Sequence, residues 1–113
     1  WMHNFHRLVK GKNRCTLMMH PEDMKSNDID DKTTVNLASR AGSVEVQVES
    51  SEDVMRGVVS LPHGYGHKRN GIQMSTAVAN AGVSCNDVTD DLYLDELSGN
   101  AAINGVPVTV TAI

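Results

Sequence analysis

Thr33-Thr34-Val35-Asn36-Leu37-Ala38-Ser39-Arg40-Ala41-Gly42-Ser43-Val44-Glu45-Val46-Gln47-Val48-Glu49 is the stretch that decides the fold. Val35 and Leu37, then Val44, Val46 and Val48, recur at every second residue, the period that aligns side chains on one face of a strand. The Arg40-Ala41-Gly42 link between the two runs predicts a hairpin of Thr33 to Ser39 with Ser43 to Glu49. Upstream, Cys15, Leu17 and Met19 alternate within Arg14 to His20, a strand stopped by Pro21. Pro21-Glu22-Asp23 puts a proline and two acids where a first helical turn accepts them, so a short helix is expected over Glu22 to Ser26, followed by a polar turn over Asn27 to Lys32.

Downstream, Ser50 to Gly57 reads as a turn or brief helix, and Val58 to Leu61 as a buried strand running into Pro62. Met74 to Asn80 reads as a short helix with Gly82 as its cap. Asp87 to Gly99 is acidic and turn-rich. Val106, Val108 and Val110 alternate with Pro107, Thr109 and Thr111 in a last strand after an Asn104-Gly105 turn. Five or six short strands with one or two short helices predict a mainly β architecture, a closed barrel or a sandwich.

The chain has 113 residues and 12.2 kDa, with 40% hydrophobic and 21% charged residues, the composition of one ordinary domain. Aromatics make up only 4%, so Val, Leu, Ile and Met must fill the core. No window approaches the roughly 18 apolar residues of a membrane span and no signal peptide is recognisable, so a cytoplasmic protein without a membrane partner is expected. Cys15 and Cys85 form no C-x-x-C pair and are expected to be free thiols. The opening Trp1-Met2-His3-Asn4-Phe5 reads as the middle of structured sequence, so residues 1-113 are expected to be one domain excised from a larger protein.

The net charge of -4 hides a segregation. Residues 1–20 carry +4 and residues 55–70 carry +3, whereas residues 21–54 carry -6 and residues 71–113 carry -5. All five histidines fall in the positive blocks: His3, His6 and His20 in one, His63 and His67 in the other. If the blocks meet, they form a positive, His-rich patch suited to a small phosphorylated ligand; a long nucleic acid would be repelled by the acidic blocks.

Chemistry is expected in loops. Leu61-Pro62-His63-Gly64-Tyr65-Gly66-His67 follows a strand that delivers it to one end of the sheet. Gly64 and Gly66 allow close approach to main-chain N–H groups, and Tyr65 offers a flat face. A competing use is metal binding by His3, His6, His63 and His67, although spacing on loops guarantees no shared face. The absence of G-x-S-x-G and of a basic partner for Cys85 argues against nucleophilic catalysis. Asp30-Asp31 and Asp90-Asp91 sit in turn contexts that favour solvated capping.

The ordered succession Trp1-Met2-His3-Asn4, His20-Pro21-Glu22-Asp23, Arg40-Ala41-Gly42-Ser43-Val44-Glu45-Val46, Gly57-Val58-Val59-Ser60-Leu61-Pro62-His63-Gly64-Tyr65-Gly66-His67, Asn86-Asp87-Val88-Thr89 and Asp95-Glu96-Leu97-Ser98-Gly99 resembles the C-terminal molybdopterin dinucleotide-binding domain of the molybdopterin oxidoreductases. The resemblance covers nearly the whole chain. It implies a double-psi β-barrel that caps the cofactor funnel of a molybdenum or tungsten enzyme carrying molybdopterin guanine dinucleotide, in the group of formate dehydrogenases and nitrate reductases.

The resemblance implies that Trp1, His3, Asn4, Leu61, Pro62, His63, Gly64, Tyr65, Gly66, His67 and Asn86 line the pterin and dinucleotide. Tyr65 stands where relatives often have tryptophan, which keeps the aromatic face. Asn86 offers both a donor and an acceptor to a pterin edge, and Arg7 and Lys68 are the candidates for phosphate contacts. The metal's protein ligand and any iron–sulfur cluster belong to other parts of such enzymes. No catalytic residue is therefore expected here, and the isolated domain is expected to be inactive. Its expected partners are the cofactor and the parent's remaining domains. That parent works in the cytoplasm, in the periplasm or against a membrane. The alternative reading is a stand-alone double-psi barrel that recognises a substrate or partner.

Overall fold

The computed structural model describes residues 2–92, 94–101 and 104–113. Five strands, β1 (Leu17–Met19), β2 (Thr34–Ala38), β3 (Ser43–Ser50), β4 (Val59–Ser60) and β5 (Thr109–Ala112), form one sheet in the order β4-β1-β3-β2-β5. β2 and β3 are the antiparallel hairpin expected, with Val35 opposite Val46 and Leu37 opposite Val44. β1 lies parallel to β3, with Leu17 opposite Val48, and antiparallel to β4. β5 runs antiparallel to β2, with Val110 opposite Leu37.

Three short α-helices and two 3-10 turns accompany the sheet among the described residues, rather than the one or two helices expected. They are α1 (His6–Val9), α2 (Pro21–Ser26) and α3 (Ser75–Ala79), with 3-10 turns at Met2–Asn4 and Cys85–Asp87. α1 escaped the sequence reading because four residues carry no measurable period. α2 forms as its signals dictate. Pro21 opens it, the His20 ring accepts a bond from the Glu22 N–H, Glu22 and Asp23 face the positive end of the helix dipole, and Met24 is buried.

The alternating residues supply the core. Leu17, Val35 and Val48 are fully buried, and Met19, Met24, Ile29, Leu37, Val46 and Val88 complete the cluster around them. Burying each such side chain is worth about 1.5–3 kcal/mol. Three strands differ from expectation. β1 and β5 are shorter than their apolar patterns, and β4 is a two-residue edge rather than a buried strand, with Val58 46% exposed. For β4 and β5 edge position explains this, because only one neighbour supplies ladder bonds; β1 is an inner strand, and its pairing with β3 runs only from Leu17 to Met19.

β4 and β5 do not pair with each other, so the sheet is a curled half-barrel and not a two-sheet sandwich. Between these two edges runs a trough of 1140 Å³ with Leu17, Met19 and Leu37 on its floor. No helix of the described residues is long and apolar enough to cross a membrane.

Candidate functional site

The lining of the trough includes polar groups delivered by loops. The loop leaving β4 brings His63 and Gly64 to it, and the Cys85–Asp87 turn brings Asn86, with Thr89 beside it. Gly64 adopts φ +93°, and a Cβ there would meet the His3 ring at 3.7 Å. Glycine thus leaves a stretch of main chain bare against an imidazole.

His3, from the N-terminal 3-10 turn, joins two loop residues more than sixty positions away. Its Nδ1 lies 2.9 Å from His67 Nε2, and its ring stacks on Tyr65 with centroids 4.5 Å apart and planes inclined by 25°. The His67 ring meets it edge-on. An imidazole–imidazole hydrogen bond needs one neutral acceptor nitrogen, so this pair cannot carry two protonated rings and keep its geometry. All three side chains are half-buried.

The loop is fixed from below. The Gly66 N–H donates to Ala81 O at 2.7 Å, and a Cβ on Gly66 would sit 2.6 Å from Ser84 Cβ. Cys15, buried just before β1, accepts from the Val83 N–H at 3.3 Å, and Gly82 passes so close that a Cβ there would overlap the thiol at 2.6 Å. Arg69 Nη2 donates to Asp87 Oδ1 at 2.6 Å.

The segment that carries Asn86 is tied on its other side to the β2–β3 hairpin. Ser39 Oγ donates to Val88 O at 2.6 Å, and Arg40 clasps Asp90 through Nε at 2.7 Å and through Nη2. Gly42 makes this approach feasible, since a Cβ there would lie 2.5 Å from Asp87 O. The Arg40 bond, followed by the Leu92 N–H, holds the Asp90 carboxyl below the usual carboxylate range, and Asp90 in turn raises Arg40.

Other site residues fall elsewhere. Asn4 Oδ1 accepts from the Ala77 N–H at 3.2 Å and so holds the first turn of α3. Leu61 lines the trough and packs on the core; Pro62, next in the loop, is half-buried. Arg7 is exposed on α1, and Lys68 borders a separate hollow of 290 Å³ with Asn13 and Asn80. Trp1 lies outside the described residues.

The two positive blocks do meet, but through histidines rather than cations. Lys12 pairs with Glu49, Arg56 with Glu22 and Asp23, and Arg69 with Asp87. Three of the seven cations in the two positive blocks are thus paired with acids from the adjoining blocks, while Arg7 and Lys68 stay exposed. Of the four histidines considered as metal ligands, His3 and His67 pair, and among the described residues no group of three or more His, Cys, Asp or Glu is placed to hold a metal ion. Thr89 and Asn104 also line the trough and were not singled out in the sequence, where Asn104 read only as a turn residue.

A mainly β half-barrel whose glycine-rich loop is joined by an N-terminal turn and an asparagine-bearing turn matches one known family over almost its entire length. The model of the molydopterin dinucleotide binding domain covers residues 1–107, and the chain belongs to that family. A tetrathionate reductase subunit of Salmonella typhimurium (strain LT2) is 25% identical to it over 124 residues, covering 95% of this chain and 12% of that protein. Acetylene hydratase from Pelobacter acetylenicus shares the fold, with a TM-score of 0.71 at 16% identity over 87% of this chain and 14% of that one. The chain thus spans about 12% of its curated relative's length.

Proposed function

We propose that this chain holds the pterin and diphosphate groups of molybdopterin guanine dinucleotide within a larger molybdenum or tungsten oxidoreductase, and that its half-barrel belongs to a double-psi β-barrel. The observation that carries this reading is the convergence of His3, Tyr65 and His67 beside Gly64, which lines the trough. Residues 64 positions apart in sequence are brought together there to make a flat, polar, glycine-bared surface, which suits a heterocycle followed by phosphates.

In this reading the Tyr65–His3 stack presents a face to the pterin, the Gly64 main chain approaches it closely, and Asn86 donates and accepts at its edge. His63 reaches the same ligand from the trough side. Arg7 and Lys68 are exposed cations free to meet phosphate from outside the trough. The bound group supplies two-electron redox chemistry when loaded; this chain's residues bind, orient and exclude water, and catalysis belongs to the rest of the enzyme. The same reading makes the chain inactive alone and places the whole in the cytoplasm, with neither nucleic acid nor membrane among this domain's own partners.

The test is pterin content of the full-length enzyme carrying Asn86→Ala or His63→Ala. Each removes a partner from a buried polar ligand, worth about 1–3 kcal/mol, so occupancy at limiting cofactor is expected to fall. Normal occupancy in both variants refutes the assignment.

A further inference from the structure

The turn that carries Asn86 has no buried residue of its own. It closes on itself through two bonds, Asp87 N–H to Ser84 O at 3.2 Å and Val88 N–H to Cys85 O at 3.1 Å, and only the next residue, Val88, reaches the core. The Asn86 carbonyl accepts from Thr89 Oγ1 at 3.2 Å, while its side-chain amide has no bonding partner among the described residues. Where that amide stands is therefore set by what grips the turn from either side.

The grip on the hairpin side comes from residues 39–42. Ala38 pairs with Ser43 where β2 meets β3, and the link between them is braced internally: the Ser39 N–H donates to Gly42 O at 2.8 Å and the Ala41 N–H to Ser39 Oγ at 3.2 Å. From this braced tip Ser39 Oγ donates to Val88 O, and Arg40 forks onto Asp90 with two donors. A guanidinium that bonds a carboxylate twice fixes direction as well as distance, which the single ammonium of a lysine does not. Asp90 also accepts from the Leu92 N–H at 2.9 Å, so its carboxylate is itself held in place.

Charge supplies a second reason. Residues 71–113 hold five acids and no lysine or arginine, so the carboxylates beside Asn86 must be neutralised by cations from elsewhere. Arg69 covers Asp87, and Arg40 covers Asp90. Without those partners both carboxylates would repel a diphosphate. Arg40 does not itself line the trough.

We propose that Arg40 is a positioning residue for the cofactor site: through Asp90, and together with Ser39 on Val88, it fixes where Asn86 presents its amide and offsets the Asp90 charge on that side. The inference rests on the reading that Asn86 meets the pterin edge.

Amide exchange and pterin content of the full-length enzyme test this in Arg40→Ala, Asn86→Ala and the double variant. In enzyme prepared without cofactor, Arg40→Ala is expected to speed exchange at residues 87 and 88 on the order of 10-fold while the β3 amides keep the parent rate. Unchanged exchange at both residues overturns the inference, and so does acceleration that extends to β3, which marks a general loss of structure. Pterin content measured against cofactor concentration is expected to show an affinity about 3–10-fold weaker in Arg40→Ala, and no further loss when Arg40→Ala is added to Asn86→Ala. A further loss in the double variant shows that Arg40 acts by another route and overturns the inference. Normal affinity in Arg40→Ala beside a loss in Asn86→Ala overturns the inference and leaves the proposed function standing, whereas normal affinity in both Asn86→Ala and His63→Ala refutes the proposed function and this inference with it.

Discussion

Arg69 and Asp87 join the glycine-rich loop to the turn that carries Asn86. Their bond fixes the spacing of the two walls of the candidate site, although 69% and 42% of the respective side chains are exposed. Exposed pairs contribute about 0–1 kcal/mol to stability, so the role of this one is geometric.

Arg69→Ala is therefore expected to leave the unfolding free energy within about 1 kcal/mol of the parent value. Resonances of Gly64 to His67 and of Asn86 should nonetheless broaden or split. A denaturant titration and an amide spectrum of the same variant check both halves, and an unchanged spectrum refutes the tether.

Gly66 and Gly71 both adopt positive φ, at +102° and +90°, but only Gly66 has a neighbour where a Cβ would go. Gly71→Ala is expected to cost only backbone strain, about 1–2 kcal/mol. Gly66→Ala adds a collision with Ser84 and should cost about 1–3 kcal/mol beyond that. Equal losses in chemical denaturation would show that the loop moves off Ser84 freely.

Leu17 and Leu97 test the core assignment from opposite ends, at 0% and 99% exposure. Leu17→Ala should destabilise by about 2–5 kcal/mol, through lost burial and a residual cavity. Leu97→Ala should stay within about 0.5 kcal/mol. Thermal or urea unfolding separates these outcomes.

Asp90 gives the fold an acid-sensitive tie. Its carboxyl is lowered chiefly by the Arg40 hydrogen bond, so its contribution is fully present above the ordinary carboxylate range and is lost as pH falls through the lowered folded value. Asp90→Asn should be less stable than the parent protein at neutral pH. The gap should close below the carboxylate range, as a pair of stability-against-pH curves would reveal; a gap independent of pH refutes the ion-pair account.

Much of the sheet was legible because its signals are local. Val35, Leu37, Val46 and Val48 declare their shared face by period, and Pro21, Glu22 and Asp23 announce α2 by helix-end chemistry. The candidate site is marked in the sequence for a different reason: glycines and histidines set its loop apart, but a role for them is implied there only by an ordered resemblance. The meeting of His3 with His67 had no local signal. Nor had the choice of acid for each cation, since block charges give a sum and not a pairing: Arg40 reaches Asp90 and Arg69 reaches Asp87 only once the hairpin and the loop are placed. The parallel pairing of β1 with β3 was hidden likewise, because Leu17 and Val48 touch only after the chain between them has folded back.

The thiol of Cys15 makes the rigidity of the site measurable. It is wedged under the Ala81 to Val83 segment, where it accepts from Val83, while Ala81 holds the Gly66 amide. An alkylating reagent reaches it only when that segment lifts, and lifting unhooks the loop that bears Tyr65 and His67. Its labelling rate is thus a clock for the opening of the site. A bound ligand that pins the loop must slow that clock even when it never approaches the sulfur.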